Sequence, residues 1–326
     1  MRTRKPPKGG LYMRIAWMLP EPVRSILTES GIMEKDLREI RFRTGRGLMV
    51  ETAEGEFLLD KKGRQVFSEG EAYCVSETDI KSALELLTGY SVYAFEEEMR
   101  QGYFTVEGGH RIGVAGRAVV ENGRVQRLGY ISFLNFRVAH ACMGCSEELF
   151  RRLYGDGQYY HTLLFAPAGC GKTTFLRDLI RLLSNAGLRV GVADERSELA
   201  ACHYGVPQHD LGLRTDVMDG CPKAEAMGML LRSMTPQILV ADEIGMEADV
   251  FAIRAAAGCG CKVVASAHGG SFEDLIRNPV LRTLWEERRF ERYICLEKRG
   301  NSFGVKEIYD SDGSAVGSKY ADFGQV

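Results

Sequence analysis

Residues 166–173 read Ala-Pro-Ala-Gly-Cys-Gly-Lys-Thr and stand between an apolar run and a helical pattern. The apolar run at residues 161–165 predicts a short buried strand, and the spacing after Thr174 predicts an amphipathic helix that stops near Gly187. A glycine-rich turn between strand and helix presents backbone N–H groups to an anion, and the helix dipole adds to the attraction. The segment therefore predicts a phosphate-binding loop for a nucleoside triphosphate.

Two side chains of this loop have separate expected roles. We expect Lys172 to reach the outer phosphates and the Thr173 hydroxyl to ligate Mg²⁺. The usual pattern opens with glycine, and Ala166, the smallest alternative, occupies that position here. The alternative interpretation is a surface turn that merely contains Lys-Thr, which the flanking strand and helix disfavour. The residues expected around the nucleotide are Ala166, Pro167, Ala168, Gly169, Cys170, Gly171, Lys172, Thr173 and Thr174.

A second chemical motif is the apolar run 238–241 followed by Asp242 and Glu243. Four apolar residues before two acids predict a buried strand that ends in a polar cleft. Asp242 is expected to hold Mg²⁺, generally through water, and Glu243 to orient and deprotonate the attacking water, as ATP hydrolysis requires. The alternative is a strand that simply ends in acids at the surface.

Two more predicted strands end in polar side chains. One ends in Asp194-Glu195-Arg196 and the other in His268, which two glycines follow. Because the carboxyl ends of parallel strands lie at one edge of a sheet, we expect Asp194, Glu195 and His268 to meet Asp242 and Glu243 in one cleft. His268 is expected to sense the outer phosphate, and the alternative is a histidine that caps a helix.

From residue 160 onward, strand and helix patterns alternate. The strands are continuous apolar runs, as is typical of strands covered on both faces, and they predict a doubly wound parallel sheet of the α/β class. The further strands are expected at residues 189–193, 237–241, 261–265 and 293–296.

The first 150 residues contain no nucleotide motif. A helix is expected over residues 19–38, a second helix starting near Ser76, and a third over residues 142–154. Strands of an antiparallel meander are expected at residues 39–43, 48–50, 103–106, 111–115 and 118–120. The sequence therefore predicts an α+β domain at residues 1–150, with a flexible basic tail at 1–12, and a nucleotide-hydrolysing domain at residues 151–326.

The composition argues against several functional classes. The 326 residues carry a net charge of −2, which provides no bulk attraction to nucleic acid, so no nucleic-acid partner is expected. No apolar run reaches the about 18 residues of a membrane span, and no secretory signal precedes the first domain, so a cytosolic protein is expected. The nine cysteines are expected to be free thiols, with a zinc site at Cys142, Cys145, Cys259 and Cys261 as the alternative.

The order of the motifs resembles that of the secretion ATPases, which power type II and type IV secretion and pilus assembly. The chain presents Gly-Lys-Thr, then Asp-Glu-Arg, then residues 231–244, then a strand ending in Ala-His-Gly. The resemblance implies a RecA-like parallel sheet with helices on both faces, of the ASCE/AAA+ type of P-loop ATPase. That family usually has Gly-Glu where this chain has Asp242-Glu243, which leaves Glu243 as the residue that handles water.

A more specific resemblance is to the stage III sporulation protein AA family of endospore-forming bacteria, over about residues 15–310. The stretches that carry it are 88–102, 194–200, 205–208, 212–217 and 219–224. It implies a cytosolic ATPase of the mother cell that uses ATP and Mg²⁺ and assembles as a homohexameric ring. The ring would energise a mother cell–forespore transport channel and lie peripheral to the membrane through its membrane-protein partners.

Rings of this type usually close the site with arginines from a neighbour or another domain. Arg196, Arg214 and Arg232 are the candidates, and each could equally form a structural salt bridge. Two other functions remain as alternatives: a ring-forming nucleic-acid motor built on the same core, and an assembly scaffold that binds nucleotide without hydrolysing it.

Overall fold

The computed structural model describes residues 14–140, 142–154, 157–299 and 302–316. The chain forms two compact units, and the division falls between His140 and Ala141, whereas the sequence places it near residue 150. The expected basic tail at residues 1–12 lies outside the described residues.

The first unit is built on a seven-stranded sheet in the order β4-β3-β2-β1-β7-β6-β5, in which the neighbouring strands are antiparallel. Its strands are β1 (Leu37–Arg43), β2 (Met49–Thr52), β3 (Gly55–Leu59), β4 (Gln65–Val66), β5 (Tyr103–Thr105), β6 (Arg111–Glu121) and β7 (Arg124–Arg137). Its helices are α1 (Val23–Glu29), α2 (Glu77–Leu87) and α3 (Glu96–Arg100), with 3₁₀ turns at Arg14–Met18, Val92–Phe95 and Glu107–Gly109.

The helix expected over residues 19–38 is wrong in extent. Only α1 forms, because Ser30 caps it, Gly31 turns with φ 71° and Leu37 already enters the sheet. The start of α2 is confirmed, since the Ser76 side chain accepts the Asp79 N–H in a capping box.

The second half of the meander also differs from the prediction. β6 runs unbroken through Gly116, where a Cβ atom would lie 1.8 Å from the carbonyl oxygen of Tyr130 on β7. Gly116 therefore permits a close approach of two strands and does not separate them. β7 itself was not predicted.

The second unit is an α/β structure whose sheet has the order β10-β9-β11-β12-β8-β13-β14. Its strands are β8 (Thr162–Ala166), β9 (Val190–Asp194), β10 (Thr215–Asp219), β11 (Ile238–Ala241), β12 (Lys262–His268), β13 (Arg292–Arg299) and β14 (Ser302–Tyr309). Its helices are α4 (Glu147–Tyr154), α5 (Lys172–Asn185), α6 (Lys223–Ser233), α7 (Glu247–Gly258), α8 (Phe272–Arg277) and α9 (Pro279–Glu286). Six neighbouring strands run parallel to one another: β10, β9, β11, β12, β8 and β13. The edge strand β14 is antiparallel to β13.

Helices cover both faces of this sheet. Leu163 and Phe165 of β8 point into the core that holds α6 to α9, while Leu164 and Ala166 point into the core that holds α4 and α5. Alternate residues of each central strand are therefore buried on opposite faces, which explains why the strands read as continuous apolar runs.

Parallel pairing gives the sheet two distinct ends. The carboxyl edge contains the ends of β8, β9, β11 and β12, and the amino edge contains their first residues. Sequence-predicted polar residues therefore gather at the carboxyl edge. In the part of the chain that the structure describes, no helix combines the length and apolarity that crossing a membrane demands.

Candidate nucleotide site

The phosphate loop joins the end of β8 at Ala166 to the first residue of α5, Lys172. Gly169 and Gly171 both adopt φ 73°, a left-handed conformation that favours glycine. A Cβ atom on Gly171 would lie 2.7 Å from the ring of Phe303 on β14. A larger residue at position 171 would therefore be both strained and obstructed.

Lys172 lies inside this loop. The residue is 6% exposed, and its Nζ donates to the carbonyl oxygens of Ala166 at 3.0 Å and Pro167 at 3.3 Å. The ammonium group is thus held at the loop carbonyls, within the segment expected to surround the phosphates.

Thr173 and Asp242 meet although 69 residues separate them in sequence. The Thr173 hydroxyl donates to Asp242 Oδ2 at 2.8 Å, because α5 and the end of β11 both face the carboxyl edge. A hydroxyl and a carboxylate are oxygen donors of the type that Mg²⁺ prefers. The two expected metal ligands are therefore close enough to serve one ion.

Ser266, in β12, is fully buried and contacts both residues of the Asp242-Glu243 motif. Its hydroxyl donates to Asp242 Oδ1 and accepts the N–H of Glu243 at 2.9 Å. Sequence analysis missed Ser266. The available signal was a lone hydroxyl within the apolar run 263–267, since a buried hydroxyl needs a hydrogen-bond partner.

Glu243 directly follows Asp242 and adopts φ 49°, which is uncommon for a residue with a side chain. Its carboxylate accepts Arg196 Nη1 at 2.8 Å, and the side chain remains 43% exposed. Its main-chain oxygen accepts Lys223 Nζ at 2.8 Å. Glu243 therefore combines a fixed backbone with a carboxylate that solvent can reach.

Asp194 and Glu195 have different environments. The Asp194 carboxylate, 1% exposed, accepts the N–H groups of Glu198, Leu199 and Ala200 at 2.8–3.1 Å. Burial raises the pKa of Asp194, and these hydrogen bonds oppose the shift. Asp194 therefore shapes the loop that follows β9.

Glu195 lies 3.3 Å from Lys223 Nζ. One small cleft brings these residues together with the second acidic motif. It is lined by Asp194, Glu195, Arg196, Glu198, Lys223, Asp242 and Glu243.

His268 is the last residue of β12 and pairs in register with Ala166, where the phosphate loop begins. The side chain is exposed, and the N–H of the next residue, Gly269, donates to the Ala166 carbonyl oxygen at 3.3 Å. The helix that follows is capped by Ser271. The alternative of a helix-capping histidine is therefore wrong. His268 lies beside the loop and is not among the residues that line the cleft with Asp242 and Glu243, contrary to expectation.

The three candidate arginines lie in different places. Arg196 reaches Glu243, as described above. Arg214 is exposed directly before β10, and Arg232 is exposed in the last turn of α6, so both lie toward the amino edge. The structure thus brings one of the three to the cleft of its own chain.

The four cysteines of the alternative zinc site are free thiols. Cys142, Cys145, Cys259 and Cys261 are free, and the Cys145 thiol donates to the Cys142 carbonyl oxygen at 3.4 Å. Burial raises the pKa of Cys145 and Cys261. Over the described ranges, no group of three or more histidine, cysteine or acidic side chains could hold a metal ion.

Residues 12–316 match the family described as sporulation stage III, protein AA. The chain belongs to this family. It is 40% identical over 308 residues to Stage III sporulation protein AA of Bacillus subtilis (strain 168), covering 93% of this chain and 96% of that protein. The family assignment made from the sequence motifs is thereby confirmed.

Two solved structures are similar in fold. The Legionella pneumophila ATPase DotB aligns with a TM-score of 0.55 and 14% identity, covering 94% of this chain and 84% of that chain. The pilus retraction motor PilT, solved with bound ADP, aligns with a TM-score of 0.55 and 15% identity, covering 84% and 79%. These likenesses establish a shared α/β fold.

Proposed function

We propose that this chain hydrolyses ATP to ADP and phosphate at the carboxyl edge of its second sheet. The observation that carries the proposal is the Thr173–Asp242 hydrogen bond, with Glu243 next to it in the cleft. A binding loop, a pair of metal-binding oxygens and an accessible carboxylate are the parts that phosphoryl transfer to water requires.

The second unit is proposed to be a RecA-like core of the ASCE/AAA+ type, preceded by the α+β domain. The parallel order supports this assignment, because β12 lies between the loop strand β8 and the acid strand β11, and helices cover both faces. The similarity in fold to the ATPase DotB and the pilus retraction motor PilT supports it further.

In the proposed mechanism, the loop amides and Lys172 bind the phosphates, and Lys172 exchanges its carbonyl contacts for phosphate oxygens. Thr173 and Asp242 would hold Mg²⁺, which neutralises phosphate charge when bound. The Glu243 carboxylate takes a proton from the attacking water as the water oxygen bonds to the terminal phosphorus and ADP leaves. Arg196 places its positive charge beside the Glu243 carboxylate. The exposed side chain of His268 lies beside the loop, where it would sense the outer phosphate.

The motor role is proposed on the family membership and the fold together. The chain would form a homohexameric ring in the mother-cell cytosol and energise transport between mother cell and forespore through membrane-protein partners. Arg214 and Arg232, exposed toward the amino edge, are then candidates for contact with a neighbouring subunit.

The test is ATP turnover of the full-length protein and of Glu243→Gln, under conditions where mass measurements with ATP and Mg²⁺ show the ring. Removing the general base should lower turnover about 10²–10⁴-fold while ATP still binds. Glu247→Gln is the matched control, because this exposed acid lies four residues away at the start of α7.

Three results would contradict the proposal in different ways. Equal turnover of wild type and Glu243→Gln would remove Glu243 from the mechanism. A ring that forms with ATP but never hydrolyses it would indicate a scaffold. Stimulation by single-stranded DNA instead of membrane partners would indicate a nucleic-acid motor.

A further inference from the structure

The conformation of Glu243 requires an explanation of its own. A non-glycine residue at φ 49° persists where surrounding groups determine it, because that region is disfavoured for residues with a side chain. Glu243 is neither in a hairpin turn nor at a helix end, since it lies two residues after β11 ends at Ala241 and four residues before α7 begins at Glu247. Contacts from elsewhere in the chain must therefore hold its backbone.

Two of these contacts come from β12. Ser266 Oγ accepts the Glu243 N–H at 2.9 Å, and the Ser266 main-chain oxygen accepts the Ile244 N–H at 2.8 Å. They fix the N–H groups on both sides of the Glu243 Cα–C bond. The Ile244 N–H and the Glu243 carbonyl belong to one planar trans peptide group, so the carbonyl points away from Ser266. A third partner holds that opposite side of the group.

That partner is Lys223. Its Nζ donates to the Glu243 carbonyl oxygen at 2.8 Å, and its side chain is only 11% exposed although it ends in an ammonium group. Glu195, 3.3 Å away, balances the charge. An ammonium that is largely withdrawn from water normally needs such compensation.

Helix stability does not explain a lysine here. Lys223 is the first residue of α6, where the helix dipole disfavours a cation, and the preceding Pro222 provides no side-chain cap. Its position is explained instead by the two groups it contacts, the Glu195 carboxylate and the Glu243 carbonyl. Both lie in the cleft that contains Asp242.

We infer that Lys223 is a positioning residue for Glu243. It holds the carbonyl, and thereby the left-handed backbone that directs the Glu243 carboxylate toward the site, while Glu195 keeps the ammonium in place. The inference rests on the proposed function for its effect on turnover, but its structural part concerns the backbone of residues 242–246 alone. It gives Glu195 a role through Lys223 instead of a direct one in catalysis.

The experiment compares full-length wild type with Lys223→Met, which keeps the length but loses the donor, and with Lys223→Arg, which keeps a donor. Lys223→Met should lower kcat about tenfold or more, because small misplacements of a catalytic group have large effects. The KM for ATP should change less than about twofold, since the loop is untouched. Lys223→Arg should recover part of the loss.

The matched control is Lys262→Met. Lys262 pairs with Glu291 at 2.8 Å at the amino edge of the same sheet, so its loss removes a comparable lysine–glutamate pair away from the cleft. This variant should keep kcat. Adding Lys223→Met to Glu243→Gln should cause no further loss, because both changes remove the same function.

A second readout does not depend on hydrolysis. Amide hydrogen exchange of residues 242–246, followed by mass spectrometry, should become about tenfold faster in Lys223→Met and stay unchanged in Lys262→Met. Unchanged exchange in Lys223→Met would overturn the inference. So would a finding that Lys223→Met lowers kcat as much in the Glu243→Gln variant as it does in wild type. A wild type that hydrolyses no ATP would defeat the proposed function, and hydrogen exchange would then still decide the role of Lys223.

Discussion

The two edges of the second sheet both carry charged residues but use them differently. At the amino edge, Glu291 pairs with Lys262 and accepts the His161 N–H at 2.7 Å. At the carboxyl edge, Asp194 and Asp242 are bound by main-chain N–H groups and hydroxyls, and Glu243 is left half exposed. The ion pair at the amino edge closes the strand ends. The carboxyl edge also has ion pairs, Arg196–Glu243 and Lys223–Glu195, but there the carboxylates of Asp194 and Asp242 are oriented by N–H groups and hydroxyls and keep capacity for a ligand.

Backbone conformation separates the edges in a second way. Thr235 and Arg288 have φ 47° and 53°, but each lies one residue after the cap of a helix, where a left-handed residue commonly ends the helix. Glu243 has a similar φ two residues after the end of the buried strand β11. A positive φ therefore indicates a functional position only when ordinary helix termination does not account for it.

The largest expected effect comes from Lys172→Ala. Loss of the ammonium at the loop should weaken ATP binding and turnover by about 10²-fold or more, since a charged donor to the phosphates disappears. Unfolding temperature without ATP should change little, because, among the residues that the structure describes, the Lys172 ammonium donates only to two loop carbonyls. Titration with a fluorescent ATP analogue measures the loss of ATP binding. Normal binding would show that the loop is assigned to the wrong function.

An intermediate effect is expected for Ser266→Ala. Asp242 and the Glu243 N–H each lose a buried partner, so turnover should fall about tenfold and stability by about 1–3 kcal/mol. The matched control is Ser184→Ala, because Ser184 is equally buried and its hydroxyl accepts the Arg214 N–H at 2.8 Å toward the amino edge.

Ser266→Ala and Ser184→Ala are expected to differ in turnover. Ser184→Ala should lose stability in urea unfolding while turnover of the folded protein stays at the wild-type value. If the two variants lose turnover equally, the functional distinction between the edges fails.

The smallest effect is a pH dependence at the amino edge. Burial, with Lys262 nearby, holds the pKa of His161 below its usual value of 6.5. The unfolded chain therefore binds the proton more readily, so this contribution to stability is complete above about pH 6.5 and is lost as pH falls below it. Turnover should not follow this titration.

His161→Asn isolates the contribution, because an amide oxygen can still accept the Val263 N–H that His161 Nδ1 accepts at 3.1 Å. Urea midpoints measured at about pH 7.5 and about pH 5.5 should differ less in the variant than in wild type. An identical difference in both proteins would assign the acid sensitivity to other groups.

Much of the second sheet could be predicted because its central strands are buried on both faces and read as apolar runs. β10 and β14 were missed since edge strands are partly exposed and mix polar with apolar residues. In the first unit, β7 lies inside its sheet but was also missed, because most of its residues are exposed or half-buried.

The residues of the site also divide into those that the sequence could identify and those whose roles it could not. Lys172, Thr173, Asp242 and Glu243 could be found because each belongs to a short local motif. The roles of Ser266 and Lys223 could not be predicted, since they depend on β12 lying beside β11 and on the start of α6 approaching the cleft. Local sequence identifies groups with chemical capacity, whereas the strand order decides what orients them.

The contact between Gly171 and Phe303 has a consequence for how the loop can be tuned. The space beside this glycine belongs to an aromatic ring from β14, 132 positions later in the chain. The shape of the loop is thus sensitive to a hairpin that need not contact nucleotide. Under the proposed function, trimming the Phe303 ring would free space beside Gly171. A molecule that shifts this hairpin would then change ATP affinity from outside the cleft.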